Sequence, residues 1–141
     1  MRLHEIKVYQ EGEVVFEEGS LGRELYLVEE GQVDIVKDTP LGRVTLATFK
    51  KGDFFGEMAL LQSQPRYAAA IARKETSLQV VQPGGFLLKI RRDPTLAFEM
   101  LQQLSHRIKT TNERLIDYLV SSGKTPEEVQ ALMNKNDGLK K

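Results

Sequence analysis

A short segment with a glycine, a carboxylate and a guanidinium contains the side chains best able to bind a small anion. It runs Phe54-Phe55-Gly56-Glu57-Met58-Ala59 and continues as Pro65-Arg66-Tyr67-Ala68. A glycine permits a sharp turn after the phenylalanines, and Glu57 then opens a helical turn that the proline ends. The start of a helix leaves backbone N–H groups unpaired, and these can bind an anion. Arg66 is predicted to begin a strand of small residues.

Glu57 and Arg66 together narrow the class of ligand. The planar guanidinium fork suits two phosphate oxygens better than the point charge of a lysine does. A carboxylate repels phosphate but accepts a hydrogen bond from a sugar hydroxyl. The pair therefore indicates a ligand that carries both a phosphate and a ribose hydroxyl, which a nucleotide does. Taken singly, Glu57 could merely favour the helix dipole, and Arg66 could be a solvated surface residue.

Other site chemistries are disfavoured by composition. The 141-residue chain has no cysteine and only two histidines, His4 and His106. Thiolate chemistry is thereby excluded, and a metal enzyme, which needs several ligands, is disfavoured. There is no Gly-x-Ser-x-Gly nucleophile motif. We therefore expect a binding or regulatory module with no catalytic residue, cofactor or metal, and both histidines exposed and inert.

Charge and hydropathy limit the partners further. Twenty Lys and Arg residues balance twenty Asp and Glu residues, whereas nonspecific nucleic-acid binders carry surplus cations. No apolar run approaches the roughly 20 residues of a membrane span, and the start of the chain lacks a signal-peptide core. We expect no direct DNA binding and no membrane, and a cysteine-free chain is compatible with a cytoplasmic location.

The segment 5–82 has the pattern of many short strands separated by glycine corners. Apolar residues alternate with polar ones around positions 6–8, 33–35, 44–46 and 78–80, and β-rich runs occupy 14–16 and 25–28. The corners are assigned to Gly12, Gly19, Gly22, Gly31, Gly42 and Gly52. This pattern predicts a mainly β fold, a small antiparallel barrel or roll, with helices after it.

Helices are predicted over 84–122, with a break at Asp93-Pro94, where Asp93 caps the second helix. An apolar seam follows at Ala97, Leu101, Leu104, Ile108, Thr111, Leu115 and Tyr118. The seam either lies along the roll or pairs with a second copy of the chain, which predicts a homodimer through 97–118. The helix is predicted to end at Ser121-Ser122-Gly123. Residues 123–141 form a tail with one short helix capped by Thr125 and a frayed end.

The central segment resembles the phosphate-binding cassette of the cyclic nucleotide-binding domain family. The matching residues are Gly56-Glu57-Met58-Ala59-Leu60-Leu61 and Pro65-Arg66-x-Ala68. The likeness extends to Gly19-x-x-Gly22-x-Glu24-Leu25-Tyr26-Leu27-Val28-x-x-Gly31-x-Val33 and to Gly52-Asp53. The resemblance covers about residues 10 to 120, and the predicted domain comprises 1–122.

The resemblance implies an eight-stranded, jelly-roll-like β-roll with flanking helices. It implies that Arg66 and backbone amides after Gly56 bind the cyclic phosphate, that Glu57 takes the ribose 2′-hydroxyl, and that the long helix covers the base near Thr111 and Asn112. Met58 is expected in the core or pocket wall. The predicted ligand-contacting set is Phe55, Gly56, Glu57, Met58, Ala59, Arg66, Tyr67, Ala68, Thr111 and Asn112.

Two departures from the family leave alternatives open. Tyr67 occupies a position where the family has a small residue, so the phenol could crowd the pocket or stack on its wall. The residues after Ser122 are too few for a helix-turn-helix domain, so an effector protein would act in trans. The first hypothesis is a sensor for cAMP, or less readily cGMP, that signals through its C-terminal helix. The alternative is a degenerate roll that no longer binds nucleotide and serves as a protein-interaction module.

Overall fold

The computed structural model describes residues 5–135, which form eight strands and four helices in chain order. Their bounds are β1 Glu5–Tyr9, β2 Val14–Phe16, β3 Leu25–Glu30, β4 Gln32–Thr39, β5 Gly42–Lys50, β6 Phe54–Phe55, α1 Glu57–Gln62, β7 Ala69–Ala72, β8 Thr76–Val81, α2 Pro83–Arg92, α3 Pro94–Ser121 and α4 Pro126–Asn134. The predictions for His4 and for the frayed end concern residues outside this range.

The strands form two four-stranded antiparallel sheets, with the orders β1-β8-β3-β6 and β2-β7-β4-β5. The predicted β-roll with C-terminal helices is therefore confirmed. Each sheet draws strands from distant parts of the chain, so that β2 lies beside β7 and β3 lies beside β8. Because β2 and β7 are antiparallel, with Phe16 opposite Ala70, the loop that connects β2 to β3 lies beside the loop that precedes β7.

An apolar cluster joins the two sheets. Its buried members come from β3, β6 and β8 in one sheet and from β4 and β7 in the other: Tyr26, Val28, Val33, Phe55, Ala70, Leu78 and Val80. The Tyr26 and Phe55 rings stack with their centres 5.1 Å apart. Because successive side chains of a strand point to opposite faces of the sheet, a one-residue shift of β6 would remove Phe55 from this cluster.

The predicted corner glycines divide into two kinds. Five of them have a positive φ, as expected for turns: Gly12, Gly19, Gly31, Gly42 and Gly52. Gly22 also lies in a loop between two strands, but its φ is not positive. A side chain at Gly22 would instead place its Cβ 2.9 Å from Glu24 Oε1 and 3.4 Å from Arg66 Nη2. A side chain at Gly22 would therefore require the Glu24 carboxylate to shift.

The helix caps follow the predicted pattern. The Thr95 N–H donates to Asp93 Oδ1 at 3.1 Å at the start of α3, and Gly123 with φ 76° follows the end of that helix. Thr125 and Glu128 form a reciprocal capping box at the start of α4. His106 is exposed, as predicted, and so are Arg91 and Arg92 at the helix junction.

The chain divides into two compact units, one ending at Phe98 and the other beginning at Glu99. The second unit contains most of α3 together with α4. Along α3 the predicted seam is largely exposed, with Leu101 and Ile108 each 63% exposed and Tyr118 68% exposed. No helix among residues 5–135 is both long and apolar enough to cross a bilayer. The domain boundary at 122 stays a prediction.

Candidate functional site

The turn between β6 and α1 is fixed by the strand pairing before it. Phe55 lies opposite Tyr26 and Phe54 opposite Leu27, so both phenylalanines are held in the sheet. Gly56 then takes a left-handed conformation, with φ 85°, and α1 begins at the next residue. Within the described residues no side chain caps the first turn of α1. The predicted strand, glycine turn and short helix are confirmed.

Arg66 does not begin a strand, contrary to the sequence-based expectation. The strand β7 starts only at Ala69, because the backbone of Arg66 pairs with the loop before β3 instead. The Arg66 N–H donates to the Ser20 carbonyl at 2.8 Å, and the Gly19 N–H donates to the Arg66 carbonyl at 2.7 Å. These two bonds form a bridge that fixes the backbone from which the guanidinium extends.

The guanidinium of Arg66 is almost entirely buried, with 2% of the side chain exposed. Nη1 donates to the Gly56 carbonyl at 3.0 Å and Nη2 donates to the Glu24 carbonyl at 2.9 Å. Nε is buried, and among residues 5–135 it has no hydrogen-bond acceptor. A guanidinium has five N–H donors, so several remain for a ligand. A buried cation with an unsatisfied donor is the arrangement expected of an anion site.

Carboxylates partly balance the buried charge. Glu24 Oε1 lies 3.7 Å from Nη2, and this same oxygen accepts from the Arg23 N–H at 2.8 Å. Burial lowers the pKa of Arg66, and the nearby Tyr26, Glu24 and Glu57 raise it in part. An arginine stays charged under all ordinary conditions. The site therefore contains one buried cation, with the carboxylates of Glu24 and Glu57 close to it.

Gly56 lies so close to the guanidinium that no other residue fits there. A Cβ on Gly56 would lie 2.9 Å from Arg66 Nη1 and 3.0 Å from the Glu24 carbonyl oxygen. Both distances are shorter than van der Waals contact. The glycine is thus required twice, once for its positive φ and once for space. Only the first of these requirements is evident from the sequence.

The remaining cassette residues occupy distinct environments. Phe55 belongs to the hydrophobic cluster, and Ala59 and Ala68 are buried. Glu57 is partly buried and close enough to Arg66 to affect its pKa. Met58 is 46% exposed, so it does not lie in the core, and the alternative position in the pocket wall stays a prediction. The helix α1 directs Ala59 and Leu60 inward instead.

Tyr67 lies outside the buried core. The residue is 55% exposed, and the Lys37 ammonium lies 4.1 Å from the centre of its ring. Whether the ring borders the ligand site stays a prediction. Thr111 and Asn112 lie in α3, in the second unit, and both are exposed there.

Several residues of the site were not identified from the sequence. Phe16 lies under the Arg66 guanidinium, with Cζ 4.2 Å from the ring centre. The Arg23 guanidinium donates to the Leu60 carbonyl at 3.1 Å and so links the loop before β3 to α1. Glu24 lies within the glycine framework that resembles the family, and this resemblance was the sequence signal that could have identified it as a site residue. Phe16 is far from Arg66 in the sequence, and no local pattern indicates such a contact.

The site has no features of a metal centre. Within residues 5–135 no group of three or more His, Asp or Glu side chains converges in a way that could bind a metal ion.

Comparison with known proteins identifies relatives with the same fold. The family model described as cyclic nucleotide-binding domain matches residues 6–93. The chain is 36% identical over 111 residues to the cyclic AMP receptor protein of Thermus thermophilus, covering 77% of this chain and 51% of that protein. It is 38% identical over 71 residues to a cAMP-dependent protein kinase regulatory subunit of Schizosaccharomyces pombe, covering 50% of this chain and 16% of that protein.

A solved structure agrees with these matches. The crystal structure of the Thermus thermophilus catabolite activator protein superposes with a TM-score of 0.73 at 34% identity, covering 84% of this chain and 55% of that one. The chain thus spans about half the length, or less, of these relatives.

Proposed function

The chain belongs to the cyclic nucleotide-binding domain family, and we propose that it is a noncatalytic sensor that binds cAMP. The single observation that carries the choice of ligand is the buried Arg66 guanidinium, whose Nε has no acceptor among the described residues. The Nε edge and a remaining Nη hydrogen can donate in parallel to two phosphate oxygens. Backbone N–H groups after Gly56 complete the phosphate site in this proposal.

Glu57 provides the second half of the ligand site in this proposal. Its carboxylate would accept a hydrogen bond from the ribose 2′-hydroxyl, which a cyclic 3′,5′-phosphate leaves free. A carboxylate beside a phosphate is otherwise unfavourable, so its position at the start of α1 is accounted for by a hydroxyl donor on the same ligand. Tyr67, Ala68 and Met58 would border the ligand, and Thr111 and Asn112 would contact the base.

The preference for cAMP over cGMP has a narrower basis. The Thermus thermophilus and Schizosaccharomyces pombe relatives are both named for cyclic AMP.

Binding would change the packing of α1 and thereby the preferred position of the helices after Pro83, because a ligand shifts a conformational equilibrium by its differential affinity for the two states. The exposed seam 97–118 would then act through a second copy of the chain or an effector protein in trans. A cysteine-free chain suits the reducing cytoplasm, which the proposal assumes.

A thermal-shift panel tests the proposal. The wild-type chain is heated with saturating cAMP, with cGMP and with noncyclic AMP as the control. At about 100 times the dissociation constant, ligand adds roughly 2.7 kcal/mol of stability, which raises the melting temperature by several degrees in a domain of this size. A shift with cAMP and none with AMP supports the proposal. No shift with either cyclic nucleotide contradicts it and favours the interaction-module hypothesis.

A further inference from the structure

We infer that Lys37 is a positioning residue for the nucleotide site, because it fixes the backbone directly after Arg66. This inference rests on the proposed function. Lys37 lies in β4 and reaches the predicted ligand-contacting set through Tyr67. Tyr67, which Lys37 contacts, occupies a position where the cassette pattern has a small side chain.

Three contacts converge on the Lys37 ammonium. Nζ donates to the Tyr67 carbonyl at 2.7 Å, pairs with Glu18 Oε2 at 3.0 Å, and lies 4.1 Å from the centre of the Tyr67 ring. These partners belong to two different loops, one before β3 and one before β7. A single cation thereby joins both loops to a strand in the middle of its sheet.

The two loops joined by Lys37 are those that hold Arg66. Glu18 precedes Gly19 and Ser20, whose backbone groups form the two-bond bridge with Arg66. On the other side, the Tyr67 carbonyl belongs to the planar peptide that continues to Ala68. Because a trans peptide directs its N–H opposite to its carbonyl, the bond to Lys37 also sets the direction of the Ala68 N–H. Lys37 thus holds the bridge from one side and orients the cassette backbone on the other.

This ion pair is less exposed to solvent than an ordinary surface pair and has further partners. The Lys37 and Glu18 side chains are 28% and 36% exposed, and the pair is supplemented by a carbonyl and an aromatic face. Lys51 and Glu30 form a pair of the same 3.0 Å length, but their side chains are 73% and 69% exposed. Exposed pairs of that kind contribute little. Lys51 is accordingly a matched control for Lys37.

Calorimetric titration with cAMP tests the inference on four variants. We expect Lys37→Met to weaken binding about tenfold, since one charge-assisted hydrogen bond and its ion pair are lost. Lys37→Arg, which keeps a cationic donor, should bind within about threefold of wild type. Glu18→Gln, which leaves the carbonyl bond intact, should show an intermediate loss. Lys51→Met should bind like wild type. If Lys37 acted only through the packing of its side chain, arginine would not restore cAMP binding. Binding close to wild type in Lys37→Arg therefore distinguishes the positioning role from a purely structural one.

The outcomes separate this inference from the proposed function. If the wild type binds neither cAMP nor cGMP, the proposed function fails and the inference fails with it. If the wild type binds and Lys37→Met binds equally well, the inference alone is overturned. Equal losses in Lys37→Met and Lys51→Met also overturn it, because a general charge effect then accounts for the result. Should Lys37→Met not fold, as judged by circular dichroism, Glu18→Gln against wild type decides, and unchanged binding in that variant overturns the inference.

Discussion

The guanidinium carbon of Arg66 lies 4.2 Å from the centre of the Phe16 ring. A cation over an aromatic face is stabilised by the ring quadrupole, and the effect strengthens when the pair is removed from water. With the two carbonyls and the Glu24 carboxylate, this ring lets the chain hold a buried positive charge before any ligand arrives. The cost of orienting the arginine is thus met during folding, which leaves more of the interaction energy for binding.

Gly56→Ala should destabilise the fold more than Gly12→Ala does. Both glycines have nearly the same φ, 85° and 87°, so both substitutions incur a similar backbone cost of about 1–2 kcal/mol. Only at Gly56 does the new Cβ meet the Arg66 guanidinium and the Glu24 carbonyl, whereas at Gly12 nothing lies within 4 Å. Urea unfolding of the two variants measures the difference. Equal losses would show that crowding at Arg66 is not a constraint.

Removing the ribose 2′-hydroxyl should weaken binding only when Glu57 is present. We expect 2′-deoxy-cAMP to bind the wild type roughly 1.5–3 kcal/mol more weakly than cAMP, as is typical for loss of a hydrogen bond to a charged group. In Glu57→Ala the two ligands should bind alike. Calorimetry with both ligands measures this, and Glu11→Ala, an exposed glutamate, is the control. Persistent discrimination in Glu57→Ala would assign the hydroxyl to another residue.

Alkaline unfolding should report on Tyr26. Burial, followed by the charge of Glu24, raises the pKa of Tyr26 from 10.0 to about 12. The folded-state pKa of Tyr26 lies above its unfolded-state value, so the buried neutral phenol contributes stability that is fully present below pH 10. This contribution is lost as the pH rises towards 12. The free energy of unfolding should therefore fall over that window in wild type and fall less in Tyr26→Phe. Burial also raises the pKa of Tyr9. The variant Tyr9→Phe is therefore measured in parallel, so that the contribution of Tyr9 can be separated from that of Tyr26. Identical curves for wild type and Tyr26→Phe would refute the assignment.

The exposed seam on α3 should mediate self-association in solution. Leu115→Glu places a charge in the predicted seam, and Val120→Glu places one at an exposed position outside it. If two copies pair through 97–118, sedimentation should give a dimer mass for wild type and Val120→Glu and a monomer mass for Leu115→Glu. An unaltered mass in Leu115→Glu would mean that the seam is not the contact.

Sequence patterns predicted the parts of this molecule that depend on local chemistry. The turn at Gly56, the cap at Asp93 and the capping box at Thr125 each follow from residues within a few positions of one another. The strand periodicity likewise indicated a roll. The spacing of Gly56, Glu57 and Arg66, together with the resemblance of the cassette, singled out Arg66 among the twenty basic residues.

The remainder depends on contacts between distant segments. Phe16 and Lys37 reach the Arg66 region only because the sheet places β2, β4 and β7 side by side. Arg66 was expected to begin the strand of small residues that follows it, but its backbone bonds to Gly19 and Ser20 and the strand begins only at Ala69. Met58 was expected in the core or the pocket wall, and the core is excluded because α1 directs Ala59 and Leu60 inward instead. Such outcomes are set by tertiary packing, which overrides local propensity.

The most direct test of the central claim is the NMR signal of the Arg66 Nε–H group with and without cAMP. This buried donor lacks an acceptor among the described residues, and the proposed binding mode supplies it with a phosphate oxygen. Its proton resonance should move downfield on saturation with cAMP and become protected from exchange, and the change should be absent with noncyclic AMP. Binding of cAMP that leaves the Nε–H signal unmoved would contradict the assignment of Arg66 to the phosphate.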